Sequence, residues 1–288
     1  WYIASNLGNN KNLDGQLLPG LTPNGVPREL MGTSLPFEYN NIEQFKNIVF
    51  ENKDDIAAII MEPLRSSMPK DNFLHKIKNI ANEIKAPLIF DEITSGFRMN
   101  CGGVHLFLGV EPDIAIFGKA LGNGYPISAI LGKKNIMDVA QDSFISSTFW
   151  TERVGFTAAL ATIKKFQNNK VQERLIEYGE NINEGWAKLS KKYNIPIKIS
   201  GIPPLTNIKF VHEEALTLQT LYAKYMMEQN FLLGSSVYTT YAYSNQLIKK
   251  FLVASDKSFK KIKMHIENDS IKDFFKESKI DMGFKRLT

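Results

Sequence analysis

The chain has 288 residues, 43% of them hydrophobic and 23% charged, enough apolar material for one large domain or two without staples. Its net charge is +5, but the lysines of 160–194, 246–263 and 276–285 are mixed with acids, so no basic stripe for nucleic acid can be read and solvated helix faces are expected. The single cysteine, Cys101, excludes an internal disulfide, no Cys/His cluster has zinc spacing, and a reducing compartment, the cytoplasm, is favoured; the longest apolar runs, such as Ile56 to Met61, fall far short of the ~20 residues of a membrane span.

The sequence opens on Trp1-Tyr2-Ile3-Ala4, without a methionine and inside what reads as structured sequence, so an N-terminally truncated piece is expected. Residues 5–35 are rich in Asn, Gly and Pro, with turn signals at Gly8-Asn9-Asn10, Pro19-Gly20 and Pro23-Asn24-Gly25. A loop of that length predicts a functional segment or a lid. Asn41 to Asn47 predicts a short helix, and Ile56 to Met61 a buried strand ended by Glu62-Pro63. Asp71 is the expected N-cap of a helix through Lys85, with Leu74, Ile77, Ile80, Ala81 and Ile84 at helical spacing. Pro87 then starts a strand, Leu88-Ile89-Phe90. Strand, helix, strand is a βαβ unit and implies a parallel sheet.

A further strand is expected at 113–117 and another at Ser128 to Leu131. Helices follow from Glu152 to about Phe166 and from about Val171 to Tyr193. The alternation is then lost: strands at Ile195 to Ser200 and Thr206 to Val211 flank a Gly-Ile-Pro-Pro turn, and helices follow at 214–229 and 245–270. The fold class is α/β, with a large domain over 1–168 and a smaller α+β domain over 169–288.

Two strand ends carry the chemistry. Leu88-Ile89-Phe90 delivers Asp91 and Glu92; Asp113 to Phe117 delivers Gly118 and Lys119. Open α/β sheets bind ligands outside the carboxyl ends of their strands. Lys119 precedes Gly122-Asn123-Gly124, which leaves room beside the amine. A partly desolvated lysine has a lowered pKa and attacks carbonyls, although an isolated lysine at a strand end is more commonly a surface residue. Asp91, partly buried, needs a cationic partner: a protonated pyridine nitrogen would serve, and so would Arg98 in a structural salt bridge. His105 shows no visible partner and reads as packed or exposed; Cys101 reads as a small filler, and Trp150 as an amphipathic anchor. The glycines of 118–124 lack the spacing of a dinucleotide-binding turn.

Taken together, IFDEITSGFR (89–98), GGVHLFLGVEPD (102–113) and FGKALGNGYP (117–126) resemble the signature of the class III pyridoxal-phosphate aminotransferases, especially the glutamate-1-semialdehyde aminomutase branch. Weaker similarity extends along the rest of the chain. The resemblance implies a fold-type I transferase with pyridoxal 5′-phosphate as cofactor and small-molecule amine and carbonyl substrates. It assigns Lys119 as the Schiff-base lysine and general base, Asp91 as the carboxylate facing the pyridine nitrogen, and Ile93 as the apolar residue on one ring face. It assigns Thr148, in Ser146-Ser147-Thr148, to the cofactor phosphate across a homodimer interface, a role suited to a hydroxyl at a helix start. Glu62 matches a position lining the active site.

The chain also departs from the family. The phosphate-gripping turn and the ring-stacking aromatic precede the position of Trp1. Phe149-Trp150-Thr151-Glu152-Arg153 replaces a small-residue continuation. Segment 235–244 carries neither the acidic residue of the aminomutases nor the arginine of ω-amino-acid transaminases. Its hydroxyls and tyrosines favour a sugar-like aldehyde or ketone, unless they simply cover the smaller sheet. Alternatives are the intramolecular aminomutase reaction and a non-catalytic scaffold on the same fold.

Overall fold

The structure, a computed structural model, describes residues 2–14 and 20–271. Trp1, Pro19 and the lysines of 276–285 lie outside them. The backbone forms a 3₁₀ turn at Tyr2–Asn6, leading into 5–35, and another at Arg28–Leu30. The loop is tied down: buried Asn6 donates to the Leu21 carbonyl at 2.6 Å and accepts from the Leu13 amide at 3.0 Å. The lid expectation therefore meets a segment that buries Leu13 and Leu21.

The first sheet has the order β1-β2-β3-β4. Helix α1 (Ile42–Asn52) begins where Asn41 accepts from the Gln44 amide, a side-chain cap of the first turn. Strand β1 (Ile59–Met61) is shorter than the apolar run suggests. Its partner begins at Leu88, opposite Ile59, and Pro87 before it has no N–H to extend the ladder. Helix α2 (Phe73–Glu83) buries Phe73, Leu74, Ile77 and Ala81, the expected stripe. The expected Asp71 cap is absent. Asp71 and Asn72 both adopt left-handed backbone, and the turn closes through the Phe73 amide on the Lys70 carbonyl at 2.8 Å.

Strand β2 (Leu88–Asp91) runs parallel to β1 and to β3 (Ile114–Phe117). Between them sits a short helix, α3 (Val104–Leu108). Strand β4 (Ala129–Gly132) is antiparallel to β3, so the sheet is mostly parallel, as the fold class implies. The connection from Phe117 to Ala129 is too short for a crossover helix, so the chain reverses. After the one-turn α4 (Lys134–Met137) come α5 (Val154–Asn169) and α6 (Val171–Tyr193), joined through Lys170 in left-handed backbone.

The second sheet is antiparallel, β5 (Ile197–Ile202), β6 (Leu205–Phe210) and β7 (Ser236–Tyr238), with Pro203-Pro204 as the hairpin loop. Helices α6, α7 (Ala215–Glu228) and α8 (Asn245–Glu267) share its core of Trp186, Phe210, Tyr222 and Phe259. The Trp186 indole donates to the Tyr222 hydroxyl at 2.8 Å, which also meets Ser255 at 2.8 Å, so the buried polar tips satisfy one another. A seam of Leu64, Val104, Ile202 and Leu205 joins the two sheets, and the Gly201 amide donates to the Ser66 carbonyl at 3.1 Å.

Candidate active site

Sheet register gathers three of the expected residues. Met61 pairs with Phe90 and Asp91 with Ile116, so Glu62, Asp91 and the Gly118-Lys119 turn leave the sheet at neighbouring carboxyl ends, with strands about 4.8 Å apart. Lys119 has φ of 42°, a left-handed conformation uncommon outside glycine and frequent where a site fixes a side chain. Its Nζ donates to Thr94 Oγ1 at 2.7 Å. The residue is exposed rather than desolvated as expected, so its amine is open to a carbonyl from solvent.

Asp91 is half-buried and Oδ1 accepts from the Ile93 amide at 3.0 Å. Its other oxygen makes no hydrogen bond among the described residues. Arg98, the alternative partner, does not reach it. Arg98 Nε donates to the Thr94 carbonyl at 2.5 Å, and the guanidinium lies 5.0 Å over the Tyr238 ring. Ile93 packs beside Gly118, where an added Cβ would meet Ile93 Cγ2 at 3.4 Å.

Glu62 is half-buried and accepts from Arg65 Nη1 at 2.9 Å. Burial pushes its carboxyl above the usual range; Arg65 pulls it back, Asp91 pushes it up and Lys119 lowers it. The sheet register sets Glu62, Asp91 and the Lys119 turn at neighbouring strand ends, and Arg65 joins them through Glu62.

Sequence reasoning gave Glu92 no role, did not single out Thr94 or Arg65, and saw no partner for His105, which packs against Glu92. Glu92 is fully buried; it accepts from the Val104 and His105 amides at 3.0 and 2.9 Å, from Ser95 Oγ at 2.5 Å, and meets His105 Nδ1 at 2.9 Å. Burial pushes its carboxyl up, but the hydrogen bonds from His105, Ser95 and Val104 outweigh it and hold it low. The signal was available in Glu92-x-x-Ser95, an acid followed at helical spacing by a small hydroxyl.

Thr148 is not at a helix start. It lies exposed in a turn ahead of α5, and no hydrogen bond ties it to Lys119, Asp91 or Glu62. The first amides of α5 are taken by Glu152, which accepts from Val154 at 2.6 Å and Gly155 at 3.1 Å. Several hydroxyls of segment 235–244 make hydrogen bonds within the fold, although Tyr238, Thr240 and Ser244 are exposed. Thr239 donates to the Leu175 carbonyl at 3.0 Å, Ser244 caps α8, and Tyr243 donates to the Tyr238 carbonyl at 3.3 Å. Tyr241 lies under Lys165 at 4.8 Å and Arg174 at 5.1 Å.

A model of class-III aminotransferases matches residues 23–233. The chain belongs to the class-III aminotransferase family. The 3-aminobutyryl-CoA aminotransferase of Cloacimonas acidaminovorans (strain Evry) is 35% identical to this family member over 208 residues, 70% of this chain and 50% of that protein. A glutamate-1-semialdehyde 2,1-aminomutase of Methanococcus maripaludis (strain C7) is 30% identical over 259 residues, 83% of this chain and 60% of that protein. The solved FumI protein of Sphingopyxis sp. MTA144, a form holding PLP, superposes with a TM-score of 0.81 at 22% identity, over 92% of this chain and 68% of that one. An omega-transaminase from Sphaerobacter thermophilus gives 0.77 at 20% identity, over 85% and 61%. The fold is thus that of the fold-type I transaminases, and the chain spans about 50–60% of the length of these curated relatives. An accessible amine, a carboxylate with a free oxygen and a small residue beside Ile93 fit pyridoxal phosphate.

Proposed function

We propose that the protein carrying this chain is a pyridoxal 5′-phosphate-dependent aminotransferase, moving an amino group between an amine donor and an aldehyde or ketone acceptor. The observation that carries this is the convergence of Lys119, Asp91 and Glu62 at neighbouring strand ends in a chain of this family. When bound, the cofactor supplies an electron sink for the substrate carbon's electrons. Lys119 would hold it through Nζ and, once released, take a proton from the substrate carbon and return it. Thr94 keeps that amine in place at 2.7 Å. Asp91 would use its free oxygen to keep the proton on the pyridine nitrogen, and Ile93 would cover one ring face.

Residues 1–168 are read as the cofactor-binding domain and 169–288 as the smaller one. A homodimer fits the exposed apolar surface of Phe144, Phe149, Trp150, Val154, Phe156 and Leu160, and in it Thr148 of the partner subunit would help to anchor the phosphate. The cytoplasm is the compartment that suits free Cys101; no described helix is long and apolar enough to cross a membrane. A sugar-like acceptor would rest on the hydroxyls of 235–244, of which those of Tyr238, Thr240 and Ser244 belong to exposed residues.

The test is spectroscopic. With saturating cofactor the full protein acquires a visible absorbance band that Lys119→Ala removes; a colourless wild type overturns the reading. Intramolecular transfer, as the names of the aminomutase relatives suggest, is separated by whether turnover needs a second carbonyl compound.

A further inference from the structure

Arg65 has no part in the chemistry above, yet it stands against it. Glu62 leaves β1 beside Asp91, and Arg65 turns back onto it, Nη1 donating to Oε1 at 2.9 Å. The arginine side chain is only 26% exposed, and this is its one hydrogen bond among the described residues. A guanidinium presents five N–H donors in a rigid planar fork. With Nη1 given to Glu62, the edge formed by Nε and Nη2 stays whole, and that edge matches a carboxylate bidentately. None of its nitrogens is both sealed from solvent and unpartnered, so the free edge is reachable.

The neighbours narrow what this edge can take. Lys119 is reserved for the carbonyl, and Arg98 is turned onto Tyr238. Segment 235–244 contains no arginine or lysine. Glu62, which competes for the guanidinium, binds its proton more readily than an ordinary carboxylate. A planar monoanion therefore suits the site better than a phosphate dianion, which Asp91 and Glu62 would both repel.

We propose that Arg65 binds the carboxylate of an amino-acid substrate, with Glu62 holding Nη1 and the Nε/Nη2 edge gripping both carboxylate oxygens. This rests on the aminotransferase reading, and the experiment separates the two. β-Alanine and propylamine have the same length and differ in bearing a carboxylate or a methyl at the far end. The wild type favours β-alanine, and Arg65→Gln lowers the ratio of the two kcat/KM values about 10- to 100-fold, the range for a hydrogen bond to a charged group. Arg65→Lys, which keeps charge but not the fork, falls between. Propionate, which has no amine and cannot react, binds the wild type in calorimetry and binds Arg65→Gln more weakly by a similar factor.

An unchanged ratio or an unchanged propionate affinity in folded Arg65→Gln overturns the proposal and leaves the aminotransferase reading standing. So does loss of bound cofactor from Arg65→Gln, which would assign the arginine to the cofactor phosphate. Should the wild type stay colourless with cofactor, the aminotransferase reading fails, and the propionate measurement alone then decides on Arg65.

Discussion

Asp91 and Glu92 are adjacent carboxylates with opposite fates. Successive side chains alternate across a strand, so Asp91 faces the strand-end space while Glu92 turns inward and gathers four hydrogen bonds. Asp91 and Lys119 were legible as candidates, because each ends an apolar run. The choice of Asp91 over Glu92 as the acid proposed to face a ligand came from the resemblance, and Thr94 was invisible because its contact with Lys119 spans 25 positions. Thr94→Val is expected to lower kcat about tenfold, roughly 1.4 kcal/mol in the barrier, with little change in melting temperature; Thr94→Ser restores it. Asp113 gives a pH prediction. Burial pushes its carboxyl up, but Lys78 at 2.7 Å, the Leu88 amide at 2.8 Å and Lys133 at 2.9 Å bring it down to about 2. A carboxyl lowered in the folded state stabilises above its unfolded pKa and loses that contribution as pH falls through the folded one. Asp113→Asn is therefore expected to lower stability by about 2 kcal/mol at pH 7, with the gap to wild type closing between pH 4 and pH 2 in urea titrations.

The elements followed from periodicity where one helix face is buried. Helix α6 begins at Val171 and ends at Tyr193 as its spacing predicts, because Tyr178, Ile182, Trp186 and Leu189 share one stripe against the second sheet, while Val171 and Leu175 at its start pack with Phe97, Phe117 and Phe166. Its Gly179 has a reason no periodicity shows. A Cβ there would stand 1.8 Å from the Pro203 carbonyl oxygen, which is backbone in the β5–β6 hairpin. Gly179→Ala is expected to destabilise by about 3 kcal/mol through overpacking, measured by chemical denaturation. Gly8, with nothing within 4 Å of its Cβ position, is the control in which alanine leaves stability nearly unchanged. The cap of α2 was misjudged because it depends on how a connection closes in space, as does the direction of β4, which no local spacing displays.

At the scale of the molecule, the two sheets meet through Leu64, Val104, Ile202 and Leu205 and through Arg98 stacked on Tyr238. Tyrosines that suggested a substrate lining serve as joints between elements. Phe144 at 98% and Phe149 at 76% exposure stand out in water, and the proposed homodimer would use such exposed apolar groups as its contact surface. Phe149→Asp combined with Phe156→Asp is expected to shift the protein from dimer to monomer in sedimentation velocity. A wild type that sediments as a monomer would remove the dimer and with it the role proposed for Thr148.

By itself the sequence determined the alternation of strand and helix, the ends of the long helices, and the two strand ends where an acid and an amine could act. Those features rest on local spacing and on apolar runs, which a chain displays without folding. Only the tertiary structure decided that Glu62 stands beside Asp91, that Thr94 receives the Lys119 amine, that Arg65 keeps an edge free, and that His105 belongs to Glu92. Register and hydrogen bonds between distant segments set these relations, and they exist only once the strands are side by side.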